Sequence, residues 1–360
     1  RIDGNRRKVR EADTPGEAEQ AQREITKILT RQAAKAAKIR DAVLAAGFDP
    51  ANLTDAQMSD RRTAARLART IAGAKATGFD KATEFWINSI LSGPRTQIAN
   101  VVGNAAYGPV EMVARRMLEA ATNNAAGLTK AGFDPKEASI GEFRAMARSI
   151  MPALEAAGRN AVEAFATEMP VLTTRFGEGA SKVDLNARAA IAGTKGRAIR
   201  IPTRSLLAAD EAFKSVWATM DAHARAYRQA FNEEGLKGEA GWNRVADLVG
   251  DHTSDIWAQS IATAEHVAFQ DRPGALGEGV LRLRQRAPML TFILPFVTTP
   301  LNIAKAGARL TPLATLETIA KGATGQLDTR GKVYQQVANN LMGWGLTLAL
   351  SSLAAYRDED

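Results

Sequence analysis

Residue types that do chemistry are sparse in this chain. It has no cysteine, which removes disulfides, thiolate metal sites and thiol nucleophiles together. Its three histidines, His223, His252 and His266, are too scattered for a helical metal pair, and His252 and His266 are expected as cap or core residues. Asp210-Glu211 offers an acid beside a base, but adjacent helical residues point about 100° apart and do not converge on one site. Glu168 stands alone beside Met169-Pro170 at a helix end, where a carboxylate is ordinarily solvated. No phosphate-loop pattern occurs, and Gly193-Thr194-Lys195-Gly196 has neither the spacing nor the context of one. The metalloprotease, nucleophile-elbow and dinucleotide patterns are also missing. The expectation is a chain with no catalytic residue, no metal and no cofactor.

The basic residues are more informative. Formal net charge is +8, and residues 1 to 78 hold 16 Lys or Arg against 10 Asp or Glu. Such an excess suits nucleic acid, anionic lipid or an acidic partner, and it also serves solubility. Two clusters are the candidate polyanion or DNA contacts. One is Lys195, Arg197 and Arg200, close to Arg204. The other is Arg282, Arg284 and Arg286, which alternate with Leu283 and Gln285. On an extended segment those three would line one side, and on a helix they spread across faces.

These residues must be carried by helices. Hydrophobic content is 45% and aromatic content only 6%, and the abundant Ala favours closely packed helices over sheets. Glu17 to Ala46 reads as a strong helix, with Ile25, Ile28, Leu29, Ile39, Val43 and Leu44 near three-and-four spacing. Further helices are predicted at 56–77, 80–92, 95–126, 136–150, 153–168, 204–234, 239–248 and 251–268. Gly47-Phe48-Asp49-Pro50 and Gly132-Phe133-Asp134-Pro135 read as corners. Gly closes one helix, Asp caps the next and Pro takes its first position. Glu137 is expected to complete a capping box with Asp134, and Phe48 to staple against Leu53.

Division of the chain follows the same signals. Residues 1–16 form a polar arm, 17–169 an N-terminal helical domain, and 170–203 a Gly-rich basic linker. Residues 204–286 form a central helical domain, and 287–360 an apolar, Pro-kinked segment. Residue 1 is Arg and no secretory signal opens the chain, so a processed chain or the ordered part of a longer one is expected. The fold class is all-α, an elongated multi-helix assembly.

The C-terminal third turns apolar. Ala287 to Ala304 and Val333 to Tyr356 carry no charge. The first is broken by Pro288, Pro295 and Pro300, and the second is borderline in length for a bilayer span of about 20 residues. Phe292, Leu294, Phe296, Leu301, Leu341, Trp344 and Leu348 are the candidate contacts to another subunit or a membrane, because such a surface needs cover. The stretch from Phe85 to Asn104 reads as a helix stopped at Ser92-Gly93 and restarted at Pro94. Asn88, Asn100 and Asn104 are expected to satisfy backbone groups freed by the break. In Arg204 to Lys214, an amphipathic helix turns Leu206, Leu207, Phe213 and then Trp217 to a core, and Glu211 pairs with Lys214.

Three stretches carry a resemblance: WINSILSGPRTQIANVVGN (86–104), RSLLAADEAFK (204–214) and PMLTFILPFVTTPLNIAKAG (288–307). In this order they resemble a region of the large internal virion, or core and ejection, proteins of tailed bacteriophages and of related polyvalent virion-associated proteins. The resemblance spans about residues 80 to 350. It implies a non-catalytic structural protein that oligomerises inside the capsid near the portal and assists genome delivery. Its implied partners are further copies of itself, portal and other core proteins, genomic DNA without sequence preference, and the host envelope after ejection. The alternatives are a non-catalytic helical part of a multidomain phage enzyme, wall-degrading or nucleic-acid-processing, and a minor structural protein of portal or tail.

Overall fold

A computed structural model describes residues 15–173, 189–271 and 274–357. The chain is all-α, and no strand occurs among the described residues. The described residues within Arg1–Asn88 and Asn186–Ile201 make one compact unit, and those within Ser89–Leu185 and Pro202–Asp360 make another. This corrects the sequence-based division. The expected N-terminal domain is cut near residue 88, the end of the expected linker belongs with the first helices, and 204–286 shares a unit with the apolar C-terminal segment. Most of the expected polar arm, and the part of the linker at 174–188, lie outside the described residues.

The first unit holds α1 (Pro15–Ala45), α2 (Asp55–Ser59), α3 (Arg61–Lys75), most of α4 (Gly78–Leu91) and α9 (Gly193–Ile199). Gly47 takes a left-handed φ of 83° and ends α1. Phe48 then folds back onto Val43 and Leu67, with Leu53 against the same cluster. Asp49 accepts from the Ala51 N–H at 3.0 Å, but Pro50 does not open a helix. α2 starts at Asp55, capped by Thr54 in a full capping box with Gln57. Asp60 caps α3 through the Thr63 N–H.

In the second unit, α5 (Pro94–Pro109) runs through a π-helical turn, Val110–Arg115, into α6 (Arg116–Ala126). The break at Ser92-Gly93 is present, with Pro94 in the first turn. Gln97 Nε2 donates to Leu91 O, at the break, at 2.9 Å, and to the distant Pro202 O at 3.3 Å. The predicted helix at 136–150 is shorter. It survives as α7 (Glu142–Arg148), followed by α8 (Ile150–Thr167). Pro135 lies in a turn, and Glu137 packs its carboxylate by Gly331 instead of closing a capping box.

Next comes α10 (Ile201–Tyr227), which ends in a second π turn at Arg228–Glu233. α11 (Gly238–Gly250) and α12 (Asp255–Val267) follow it. Tyr107, Met112, Trp217, Ala222, Trp257, Val267, Phe269 and Ala306 form the main core. Small residues permit the closest approaches. A Cβ on Gly108 would overlap the Trp217 indole, and one on Gly343 would meet the Thr311 backbone.

The Pro-broken stretch resolves into α13 (Gly274–Arg286), α14 (Leu290–Ile293) and α15 (Thr298–Arg309). α16 (Leu313–Ala323) and α17 (Arg330–Arg357) complete the unit. α17 lies against α6 and α16. Among the described residues, no helix is long and apolar enough to cross a membrane. The uncharged run at 333–356 lies within α17 and supplies both its buried side and its exposed side.

Candidate functional site

The three distant stretches singled out in the sequence meet at one cavity of about 190 Å³. α5 with the end of α4 contributes Leu91, Thr96 and Asn100. α10 contributes Thr203, Leu206, Leu207 and Asp210, and the entry to α15 contributes Phe296, Thr299 and Pro300. The positions on α10 step by three and four residues, so one helical face supplies that wall. Of the four residues expected to face a core, Phe213 and Trp217 join the main one, whereas Leu206 and Leu207 line the cavity.

Asp210 is 3% exposed. Its Oδ1 accepts from Asn100 Nδ2 at 3.1 Å and Asn104 Nδ2 at 3.3 Å. These asparagines therefore serve a side chain 110 and 106 residues away, a role not expected from the helix break. Asn88 does answer to backbone, donating to Glu84 O at 2.8 Å. Thr299 Oγ1 and Asn104 Oδ1 are enclosed without a hydrogen-bond partner.

Glu211, next to Asp210, faces elsewhere. It is fully buried with Lys214, their charged atoms 2.5 Å apart, and it also accepts from the Leu172 N–H at 2.8 Å. Lys214 Nζ donates to Leu172 O. Burial pushes the Glu211 carboxyl up, against the opposing pull of Lys214 and the Leu172 amide. The pair pins the segment entering residue 172, so the small value expected of an exposed i,i+3 pair does not apply to it.

Two further charged networks run through this unit. Arg116 is buried between Glu142 and Asp221. Asp221 also takes Arg225 at 2.5 Å, and Glu142 takes Arg228 at 2.8 Å. Burial alone would raise the Asp221 carboxyl, but Arg116 and Arg225 hold it well below the usual carboxylate range.

The second network centres on His266. Its Nδ1 meets Asp271, its Nε2 lies 3.6 Å from Glu111, and Arg309 approaches Nε2 at 3.1 Å. Glu111 in turn holds Arg115 at 2.7 Å and accepts from the Tyr107 hydroxyl at 3.3 Å. Burial would lower His266, but hydrogen bonds to Asp271 and Glu111 raise it to about 9. Burial would raise Glu111, but the His266 bond and the Arg115 charge bring it to about 2. Burial, then the Glu111 charge, push the Tyr107 hydroxyl up. His223 Nδ1 lies 2.9 Å from Thr219 O, and His252 packs on Trp257. Among the described residues, no group of three His, Asp or Glu is placed to hold a metal ion.

The predicted polyanion contacts divide into two classes. Lys195 and Arg197 are exposed on α9. Arg200 is not presented to solvent. It is buried and donates to Glu84 at 2.6 Å and to Ile191 O at 2.9 Å. Residues 282–286 are helical, so the extended arrangement of the three arginines does not occur. Arg282 and Arg286 stay exposed on one face. Arg284 turns inward and donates to Pro295 O at 3.2 Å, which corrects its reading as a phosphate contact. Glu168 takes a left-handed φ of 61° at the end of α8, 4.0 Å from Arg204. It is therefore a partnered helix-end residue and not a solvated one.

The apolar candidates divide in the same way. Phe292, Phe296 and Leu301 are half-buried, and Leu294 is 43% exposed. On α17, Leu341, Trp344 and Leu348 are 53%, 51% and 63% exposed. With Val333 and Val337 they fall within about 80° of one another on a helical projection. Ala338, Asn339 and Met342, on the other side, are buried. Beside this stripe, α16 exposes Leu313, Leu316 and Ile319, and Trp344 Nε1 donates to Thr315 Oγ1 at 3.1 Å. The Glu111–His266 network was missed from sequence, since its members come from three separate helices and the turn after α12. No family model, curated protein or solved structure matches the chain.

Proposed function

We propose that this chain is a non-catalytic structural subunit of a phage virion, of the internal core or ejection class, which associates with further copies of itself through α17. The single observation that carries the reading is the outward stripe Val333, Val337, Leu341, Trp344 and Leu348, left uncovered on a helix that is packed on its other side. Its four-four-three-four spacing is that of a helix-pairing seam. No charged residue lies between Val333 and Tyr356, so a second copy meets no like-charge repulsion there and a self-complementary two-fold contact is open to it. Covering one such Leu is worth about 1.5–3 kcal/mol.

Glu111, Glu142, Glu211, Asp221 and His266 support the non-catalytic half of the reading, because they are engaged with one another, with arginines, with Lys214 and with main-chain groups. The resemblance of the three stretches that meet at the cavity supports the placement in a phage particle, inside the capsid near the portal. Lys195, Arg197, Arg282 and Arg286 are the exposed cations that would lie against genomic DNA in such a place.

The test is sedimentation of the chain over a concentration series, alone and with Leu341→Glu and Leu348→Glu together. The native chain is expected to associate reversibly. The double variant is expected to weaken association at least about 30-fold, on the scale of one lost hot spot, with unchanged helix content. A native chain that stays monomeric at every concentration overturns the self-association.

A further inference from the structure

We propose that α8 carries a second docking surface, which takes another copy of this chain in an antiparallel pair of α8 helices about a two-fold axis. Ala153, Ala157 and Ala164 face inward on α8 and are buried. On the other side Met151, Leu154 and Val162 are each more than half exposed, and Gly158 lies exposed among them. These four positions fall within about 80° of one another on a helical projection. They make an apolar stripe about three turns long, a surface that needs cover. Glu155 and Arg159 are exposed together along one edge of it, 3.8 Å apart.

The occupant follows from the register. In an antiparallel pair about a two-fold axis, the same edge of each helix meets, and the levels run in opposite directions. Met151 then stands opposite Val162 of the other copy, Leu154 opposite Gly158, and Glu155 opposite Arg159. The midpoints of these three pairs all fall between Ala156 and Ala157, so one axis satisfies them together. Each pair occurs twice across the axis, which gives two ion pairs between the copies. The pair within one helix is exposed and worth little, so it exchanges readily for the pair between copies. In a parallel pair opposite edges meet, and neither charge finds the other. Gly158 supplies the gap for Leu154. A Cβ on Gly158 would meet nothing within 4 Å in its own chain, so the single chain does not call for glycine there, whereas the close approach of a second copy does.

This contact is separate from the α17 seam, and a chain with two self-complementary faces assembles beyond a dimer. Three turns of one helix make a small interface, so a Kd of about 10–1000 μM is expected for the α8 pair. The experiment starts from the full chain carrying Leu341→Glu and Leu348→Glu, in which α17 is blocked, and follows it by sedimentation up to about 1 mM. A reversible dimer is expected. Adding Glu155→Arg sets Arg against Arg at both contacts, and adding Arg159→Glu instead sets Glu against Glu. Each of these variants alone is expected to dimerise at least about tenfold more weakly. Mixed in equal amounts they meet Arg against Glu at both contacts, and dimer formation is expected to return to within about threefold of the starting chain. The pair inside the helix is lost in both variants, so its loss cannot account for recovery on mixing. Gly158→Leu is expected to abolish the dimer with unchanged helix content.

A starting chain that stays monomeric throughout overturns the proposal and leaves the stripe to a different protein. A mixture as weak as its two components overturns it as well. If the α17 double variant does not fold, Glu155→Arg and Arg159→Glu in the otherwise native chain decide the matter, through the association that each weakens and their mixture restores. The two surfaces fail separately. If α17 drives no association, Leu341→Glu and Leu348→Glu change nothing while the α8 variants still act, and if α8 drives none the reverse holds.

Discussion

At the scale of single residues, the dominant physics is the cost of burying charge. Arg116, Glu142 and Asp221 are each almost wholly enclosed, and enclosed ions persist only when each meets its opposite and its remaining hydrogen-bond sites are filled. The His266 network makes this testable through pH. Its folded value of about 9 lies above the ordinary value of His, so its contribution to stability is complete below about pH 6.5 and is lost as pH rises through about 9. The groups facing it are Asp271, Glu111 and Arg309, with Tyr107 and Arg115 behind Glu111. Glu111, held near 2, has the opposite sign. Its contribution is complete above the ordinary Glu value and fades as pH falls toward about 2. Urea midpoints are therefore expected to fall between about pH 6 and about pH 9.5, and His266→Gln is expected to flatten that fall while lowering stability at neutral pH. A variant with the same alkaline decline as the native chain would show that His266 is not its source.

At the scale of elements, helices approach only where a side chain is missing. Gly108 faces the Trp217 indole with no room for a methyl group, whereas a Cβ on Gly103, in the same helix, meets nothing within 4 Å. The pair gives a contrast free of helix propensity. Gly108→Ala is expected to lose about 1–3 kcal/mol through overpacking, offset by at most about 1 kcal/mol of helix gain. Gly103→Ala is expected to be neutral or stabilising. Urea unfolding, with near-ultraviolet dichroism of Trp217 as a local reporter, separates the two. Equal effects would mean that the α5–α10 contact is looser than described. The break at Ser92-Gly93 belongs to the same scale. Gln97 serves the Leu91 carbonyl there, and Asn100 and Asn104 of the next turns reach Asp210.

At the scale of the whole molecule, the two units differ in how they are held. The first has a small apolar cluster around Val43, Phe48 and Leu67, and residues 189–201 join it through the buried Glu84–Arg200 pair. Arg200→Ala is expected to cost about 3–5 kcal/mol, because it leaves Glu84 enclosed without that guanidinium. Hydrogen exchange should then rise in α4 and α9 and stay unchanged around Trp217 and Trp257. Exchange that rises uniformly would show that the units unfold as one.

The sequence alone determined the helical class, most helix positions up to residue 268, the corner at Gly47-Phe48 and the break before Pro94. Each of these follows from local rules, the positions that Gly and Pro tolerate and the 3.6-residue period, and both lie within a few turns of chain. Tertiary structure decided which charges turn inward. Arg200 and Arg284 look as exposed in sequence as Lys195 and Arg282, yet Glu84 and the Pro295 carbonyl draw them inside. The unit boundary, the Asn100–Asp210 bond and the His266 network were hidden for the same reason. An ionic or polar partner is chosen by proximity in space, often across a hundred residues of chain, and neither spacing nor composition encodes that distance.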